Sequence, residues 1–289
     1  MDKAIEKNNK GVKFFLNKDF ENAELEYKAA LDEDKENTTT LNNLGLLYHQ
    51  KGEYERAIEY FKKAISISSK DTYYLNLANS QVYLKNYDEA ETAYKKCLEI
   101  NPDNVNAKIS LAKFYEAINR FREATTYWED LTGSYDNESF SVELAKNYMA
   151  LSKYEKALSL LTYVSSKEEN AMVYYFMGIC EFNLKNFGNA EIVFKRSLGI
   201  NPDFSEARHY LAINYLSKGE YAEALKEFDF IIKNEPENHK VKLDKASVLL
   251  NIGEYKKAAE IIDIVCKFDP ENQKAIYYKD VVSNLLMSR

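Results

Sequence analysis

The chain has 289 residues and a formal charge of −7, from 39 Lys and Arg against 46 Asp and Glu, a balance that favours neither a phosphate backbone nor an anionic membrane as partner. Four prolines and nine glycines are too few for an all-β sandwich or a Gly-rich nucleotide enzyme. Cys97, Cys180 and Cys266 are widely spaced and form no Cys-x-x-Cys pair; this argues against a disulfide framework or a zinc site and fits small core residues in a reducing compartment.

The first ten residues contain no apolar run, so no secretory leader is expected there. Nowhere does the chain approach the ~20 apolar residues of a membrane helix, and the expected location is cytoplasmic. From residue 4 onward one pattern recurs. An aromatic-x-x-Ala motif places its alanine at Ala23, Ala57, Ala90, Ala124, Ala157, Ala190, Ala224 and Ala258, a period of roughly 34 that marks a solenoid. With that alanine as position 20, the repeats span 4–37, 38–70, 71–104, 105–137, 138–170, 171–204, 205–238 and 239–272. Position 17 is always aromatic, from Phe20 to Tyr255, and position 8 is always Gly or Ala, from Gly11 to Ala246. Position 24 is large and apolar throughout, and Pro102, Pro202, Pro236 and Pro270 all fall at position 32.

Positions 4, 7, 8 and 11 share one helix face, as do 17, 20, 24 and 27. Each repeat is therefore expected to be a pair of antiparallel helices, packed closely through the small residues and closed by the proline. Repeat one carries Lys7 and Lys10 where repeat two has Leu41 and Leu44, as a polar N-terminal capping repeat requires. Residues 273–289 carry Ala275, Tyr278, Val282 and Leu285 at helical spacing and read as one capping helix over the last pair. No linker or low-complexity tract interrupts the array, which reads as one elongated domain.

These phases resemble the tetratricopeptide repeat over residues 4–272. Departures are local: repeats four and five lack the proline and a Gly at position 15, and Gln81 and Glu181 replace the usual aromatic at position 11. The resemblance implies an all-α, right-handed solenoid superhelix, with positions 2, 5, 6, 9, 12 and 13 of the first helices lining a concave groove. It also implies a test. Members that clamp a terminal carboxylate use Lys and Asn at 5 and 9, then Asn at 6, then Lys and Arg at 2 and 6. Repeats one to three offer only Asn8, Val12, Asn43, Thr72 and Asn76; the cationic part is missing, and that ligand is not expected.

Catalytic patterns are also missing. His49, His209 and His239 sit in different repeats, and no His-Glu-x-x-His, phosphate loop or nucleophile elbow is present. The carboxylates recur at spacings of exposed helix charge pairs. No enzyme, metal or cofactor is expected.

The groove phases change character along the chain. Asn42, Asn43, Asn76 and Asn79 gather in repeats two and three, where amides could donate to and accept from a peptide backbone; exposed asparagines of no function would look the same. Ser110, Lys113 and Lys146 follow, the two lysines a modest basic spot. Repeats six and seven then present Tyr175, Phe176, Ile179 and Phe182, followed by His209, Tyr210 and Ile213. Aromatics on phases not needed for packing suggest a partner site; the alternative is that they pack against each other across the groove. The leading expectation is a scaffold or adaptor that holds a peptide segment or partner helix, with no nucleic acid and no direct membrane insertion. A self-assembling structural protein, a homo-oligomer, and a regulatory subunit of an enzyme or secretion complex are the alternatives.

Overall fold

Two amphipathic faces per period fold into two helices per period. The computed structural model describes residues 3–287, all of its regular structure helical. The chain divides into two compact units, Met1–Asp136 and Asn137–Arg289, where the sequence suggested one uninterrupted array. The first unit holds α1 (Lys3–Leu16), α2 (Phe20–Glu33), α3 (Thr38–Gln50), α4 (Tyr54–Ile67), α5 (Asp71–Tyr83), α6 (Tyr87–Ile100), α7 (Val105–Ala117) and α8 (Phe121–Ser134). The second holds α9 (Glu138–Ala150), α10 (Tyr154–Lys167), α11 (Ala171–Asn183), α12 (Phe187–Ile200), α13 (Ser205–Ser217), α14 (Tyr221–Asn234), α15 (His239–Asn251), α16 (Tyr255–Phe268) and α17 (Gln273–Met287).

Every turn inside a pair is closed in the same way. The residue at position 15 is left-handed in all repeats: Gly52, Gly219 and Gly253, but also Lys18, Lys85, Asn119, Ser152 and Lys185, with φ between 57° and 63° for these five. The next N–H then reaches back to the carbonyl at position 11, as Glu53 N to Tyr48 O at 2.9 Å and Lys153 N to Tyr148 O at 2.7 Å. This double-bonded C-terminal turn satisfies carbonyls the helix leaves open. Repeats four and five thus keep a regular turn without glycine.

Between repeats, the prolines act one step later than the helix end. α6 stops at Ile100, Asn101 is extended (φ −136°, ψ 90°), and Pro102 follows. Proline restricts the residue before it to extended conformations, and this holds Asn101 out of the helix. A set of asparagines starts the next helix: Asn37, Asn104, Asn137, Asn170 and Asn238 each accept an N–H from the first turn they precede, as does Asn272 for α17. Such caps are each worth about 1 kcal/mol.

Position 20 alanines are wholly buried, and so are the position 24 rings Phe61, Phe194 and Phe228. Repeat six is also tight at position 8, where a Cβ on Gly178 would lie 2.4 Å from Phe194 Cε1. Lys7 and Lys10 of repeat one turn to their own second helix, pairing with Glu33 at 2.7 Å and with Glu26. α17 buries Ala275 and Val282 against the last pair; Ser288 and Arg289, the end of the expected capping helix, lie outside the described residues.

A second set of contacts binds repeat to repeat on the outer side. Tyr48, at position 11, donates its hydroxyl to Glu24 of the preceding repeat (2.7 Å), and Lys28 and Lys51 close on the same carboxylate at 2.7 and 3.1 Å. Tyr115 does the same with Glu91, joined by Lys95 and Arg120, and Tyr215 with Glu191, joined by Lys195 and Lys218. Tyr48 stacks on Tyr60 and Tyr115 on Tyr127, with ring centroids 5.3 and 6.0 Å apart. Arg56 covers the Tyr48 ring at 3.8 Å and Arg120 the Tyr115 ring at 4.6 Å.

Candidate functional site

First helices of neighbouring repeats lie side by side, so position 5 of one approaches position 6 of the next. The side chains at these phases, free in the sequence reading, are spent on each other. Asn8 accepts from Asn43 Nδ2 at 2.9 Å and from the Thr40 hydroxyl at 3.2 Å. Asn42 accepts from Asn76 Nδ2 at 2.9 Å. In the second unit the same rung is aromatic between repeats six and seven, Tyr175 and Tyr210 meeting edge to face with centroids 5.7 Å apart. Between repeats seven and eight it joins an imidazole to a carboxylate, His209 Nε2 lying 2.9 Å from Asp244 Oδ2. One geometry thus serves three chemistries of contact in four rungs, and Asn8 and Asp244 are its members that were not among the groove candidates. The signal was available: Asn8 and Asn42 occupy the same phase.

The polar candidates therefore divide. Asn42, Asn43 and Asn76 are half-buried rung residues, and Asn79, also half-buried, accepts from the Tyr94 hydroxyl at 2.6 Å. Ser110 is half-buried on α7, Lys113 is exposed, and Lys146 pairs with Glu143 of its own helix at 2.7 Å. Lys113 and Lys146 belong to different units, so a joint basic spot is not formed within either.

The aromatic candidates come together. Tyr175, Phe176, Ile179, Phe182, His209, Tyr210 and Ile213 are all half-buried on α11 and α13. Tyr175, Ile179, Phe182 and Tyr210 rest against the core that contains Phe194 and Phe228, which differs from the expectation that these phases pack no neighbour. Apolar groups that need not be buried still shed water where a neighbour offers a surface. Phe176 makes its ring contact with Tyr175, at 5.4 Å.

Tyr175, His209 and Tyr210 also wall a cleft of about 540 Å³ at the N-terminal ends of α13 and α15. Phe204 closes one side, its ring 5.0 Å from Tyr175, and Glu206 and Glu235 stand at the rim. Burial, with the nearby Tyr210 and Glu206, pushes the Tyr175 hydroxyl up to about 12, so it remains a neutral donor. Hydrogen bonds from Ser205 and Asn238 hold Glu235 below the usual carboxylate range. Burial disfavours the Asp244 charge beneath His209, but the contacts of His209 and Lys274 overcome it and keep the carboxyl ionised. The cleft can therefore offer ring faces, a hydroxyl and carboxylates to a ligand. Among the described residues no group of three or more His, Cys, Asp or Glu could hold a metal ion, and no helix is long and apolar enough to cross a membrane.

Known proteins share this architecture. TPR repeat-containing protein MJ1428 of Methanocaldococcus jannaschii is 23% identical over 236 residues, which is 78% of this chain and 42% of that protein. Human sperm-associated antigen 1 is 37% identical over 81 residues, 28% of this chain and 8% of that protein; the chain thus spans less than half the length of either. Among solved structures, the C-terminal part of a TPR repeat-containing protein from Cytophaga hutchinsonii superposes with a TM-score of 0.69 at 15% identity, over 80% of this chain and 96% of that one. Tetratricopeptide repeat sequence profiles match residues 39–71, 72–104, 142–203 and 211–272. With these matches covering well over half its length, the chain belongs to the tetratricopeptide repeat family.

Proposed function

We propose that this chain is a non-enzymatic scaffold that holds a peptide segment or partner helix on the face of its first helices, with the cleft of repeats six to eight as the principal contact. The observation that carries the reading is that cleft: three side chains at groove phases, Tyr175, His209 and Tyr210, converge on one cavity of about 540 Å³. Rigid aromatic walls lose little conformational entropy on binding and bury large areas, which is the usual composition of an affinity hot spot. The rungs near Asn42 and Asn76 support a lesser role for the first unit, because their amides already bond each other.

Affinity capture from the native cell with the purified chain tests this, followed by titration of the captured partner. Phe176→Ala and Tyr210→Ala should weaken binding at least ~10-fold with helicity unchanged, and Asn43→Ala should cost less. Normal binding by both aromatic variants, with loss in Asn43→Ala, would place the site in the first unit instead.

A further inference from the structure

On the outer side of the first unit, repeat three lacks what repeats two and four possess. In those two, the space beside the second helix is filled by a stacked tyrosine pair, Tyr48 on Tyr60 and Tyr115 on Tyr127. At the same two phases repeat three has Gln81 and Ala93. Gln81 cannot stand in for a ring, because it is buried and its amide oxygen is tied to Asn86 Nδ2 at 2.7 Å. A cleft of about 480 Å³ remains between α4 and α6, floored by Tyr74, Leu77 and Ala93. The clasp that closes the neighbouring junctions is missing here too: where it uses Glu24 and Glu91, repeat two has Ile58.

We propose that this outer cleft takes an aromatic side chain of a partner protein, carried next to a basic residue. The molecule itself shows what fits, since its own tyrosines occupy the equivalent space one repeat before and one repeat after. Charge complementarity supplies the second half of the assignment. The resident rings are covered by Arg56 and Arg120, and a ring face favours such a cation. Repeat three has Glu89 and Asn86 at those phases, and Asp88 and Glu89 line the cleft. No arginine covers a visiting ring here, and the two carboxylates favour a ring that brings its own cation. Of the two lysines that also line the cleft, Lys96 is engaged with Glu99 at 2.6 Å, which leaves Asp88 and Glu89 against Lys62 of α4 alone and the cleft with an excess of negative charge. The site is independent of the groove described above, and lies on the opposite side of the helix pair from the Asn42–Asn76 rung.

The test is a titration of the full chain with short blocked peptides, followed through the methyl resonances of Leu77 and Ala93. The probe is acetyl-Gly-Tyr-Arg-Gly-amide, with acetyl-Gly-Ala-Arg-Gly-amide and acetyl-Gly-Tyr-Glu-Gly-amide as controls. The expected result is saturable shifts with a Kd on the order of 1 mM for the first peptide and binding at least ~5-fold weaker for both controls. Filling the cleft with Gln81→Tyr and Ala93→Tyr together should abolish the Leu77 shifts; if that variant does not fold, Ala93→Met serves the same purpose. Phe176→Ala should leave the titration unchanged. Absence of saturable shifts, equal binding by either control, or shifts that survive in the filled chain would each overturn the proposal.

Discussion

Gly45→Ala sets two opposing terms against each other within one helix. Alanine is favoured over glycine in a helix interior by about 1 kcal/mol, so propensity alone predicts a more stable chain. The structure predicts the reverse. The added methyl would lie 2.4 Å from Phe61 Cε1, 2.6 Å from Cδ1 and 2.8 Å from Cζ, distances no real methyl tolerates, and Phe61 is wholly buried with no solvent side to retreat to. Overpacking of this kind costs roughly 1–3 kcal/mol, and set against the propensity gain of about 1 kcal/mol it leaves an expected net loss of about 1 kcal/mol. The sole tryptophan, Trp128, is buried in the same unit, and its fluorescence in urea reads that unit directly. Gly133→Ala is the control, since a Cβ there meets nothing within 4 Å and should leave the midpoint equal or higher. Phe61→Leu added to Gly45→Ala should recover part of the loss relative to either change alone. A midpoint that rises for Gly45→Ala as it does for Gly133→Ala would refute the reasoning.

Lys85→Gly and Ser152→Gly should each stabilise the chain by about 1 kcal/mol, read as a raised thermal midpoint, because both residues are held at positive φ (60° and 57°). Asn8→Ala should cost roughly 1–2 kcal/mol by leaving the Asn43 amide without its acceptor, whereas Asn8→Asp, which keeps an acceptor oxygen, should cost less in the same denaturation assay. Burial opposes ionisation of Glu24, but the hydrogen bonds from Lys28, Tyr48 and Lys51 outweigh it and hold the group at about 2 against an ordinary 4.5. A depressed folded value means its stabilisation is full above pH ~4.5 and is lost as pH falls toward ~2; Glu24→Gln should flatten the acid limb of the Trp128 unfolding midpoint over that window.

The helices and their pairing were legible in the sequence because each packing phase makes the same demand every time. Position 20 must be small and position 24 large, whatever surrounds them, so Ala57 and Phe61 announce themselves. The left-handed turn residue was less legible. Lys18, Lys85 and Lys185 carry no local preference for positive φ, and only the two flanking helices, packed against each other, impose it. The groove was misread in part for a related reason. A side chain not needed between helix layers, such as Asn42 or Tyr175, is still within reach of the next repeat, and contacts some 34 residues apart leave no mark in a local pattern. Of the seven aromatic-end candidates, Tyr175, His209 and Tyr210 line one cleft, since they share adjacent phases of adjacent repeats, whereas Phe176, Ile179, Phe182 and Ile213 do not.

The junction between repeats two and three is fastened by different means from its neighbours. Its inner edge is bonded through Asn42–Asn76 and the Tyr73 hydroxyl on Thr38, while its outer edge lacks the tyrosine clasp and stands open between α4 and α6. The junctions on either side are clasped at the outer edge by Tyr48 and Tyr115. What stands in for the clasp is a pair of ties between the same two repeats, Tyr54 stacked on Tyr83 with centroids 4.6 Å apart and His49 Nδ1 2.8 Å from Ser80 Oγ. A ring entering the outer opening would therefore seat like a key in a notch of an otherwise tied seam, and the amide rung on the far side would carry no load from it.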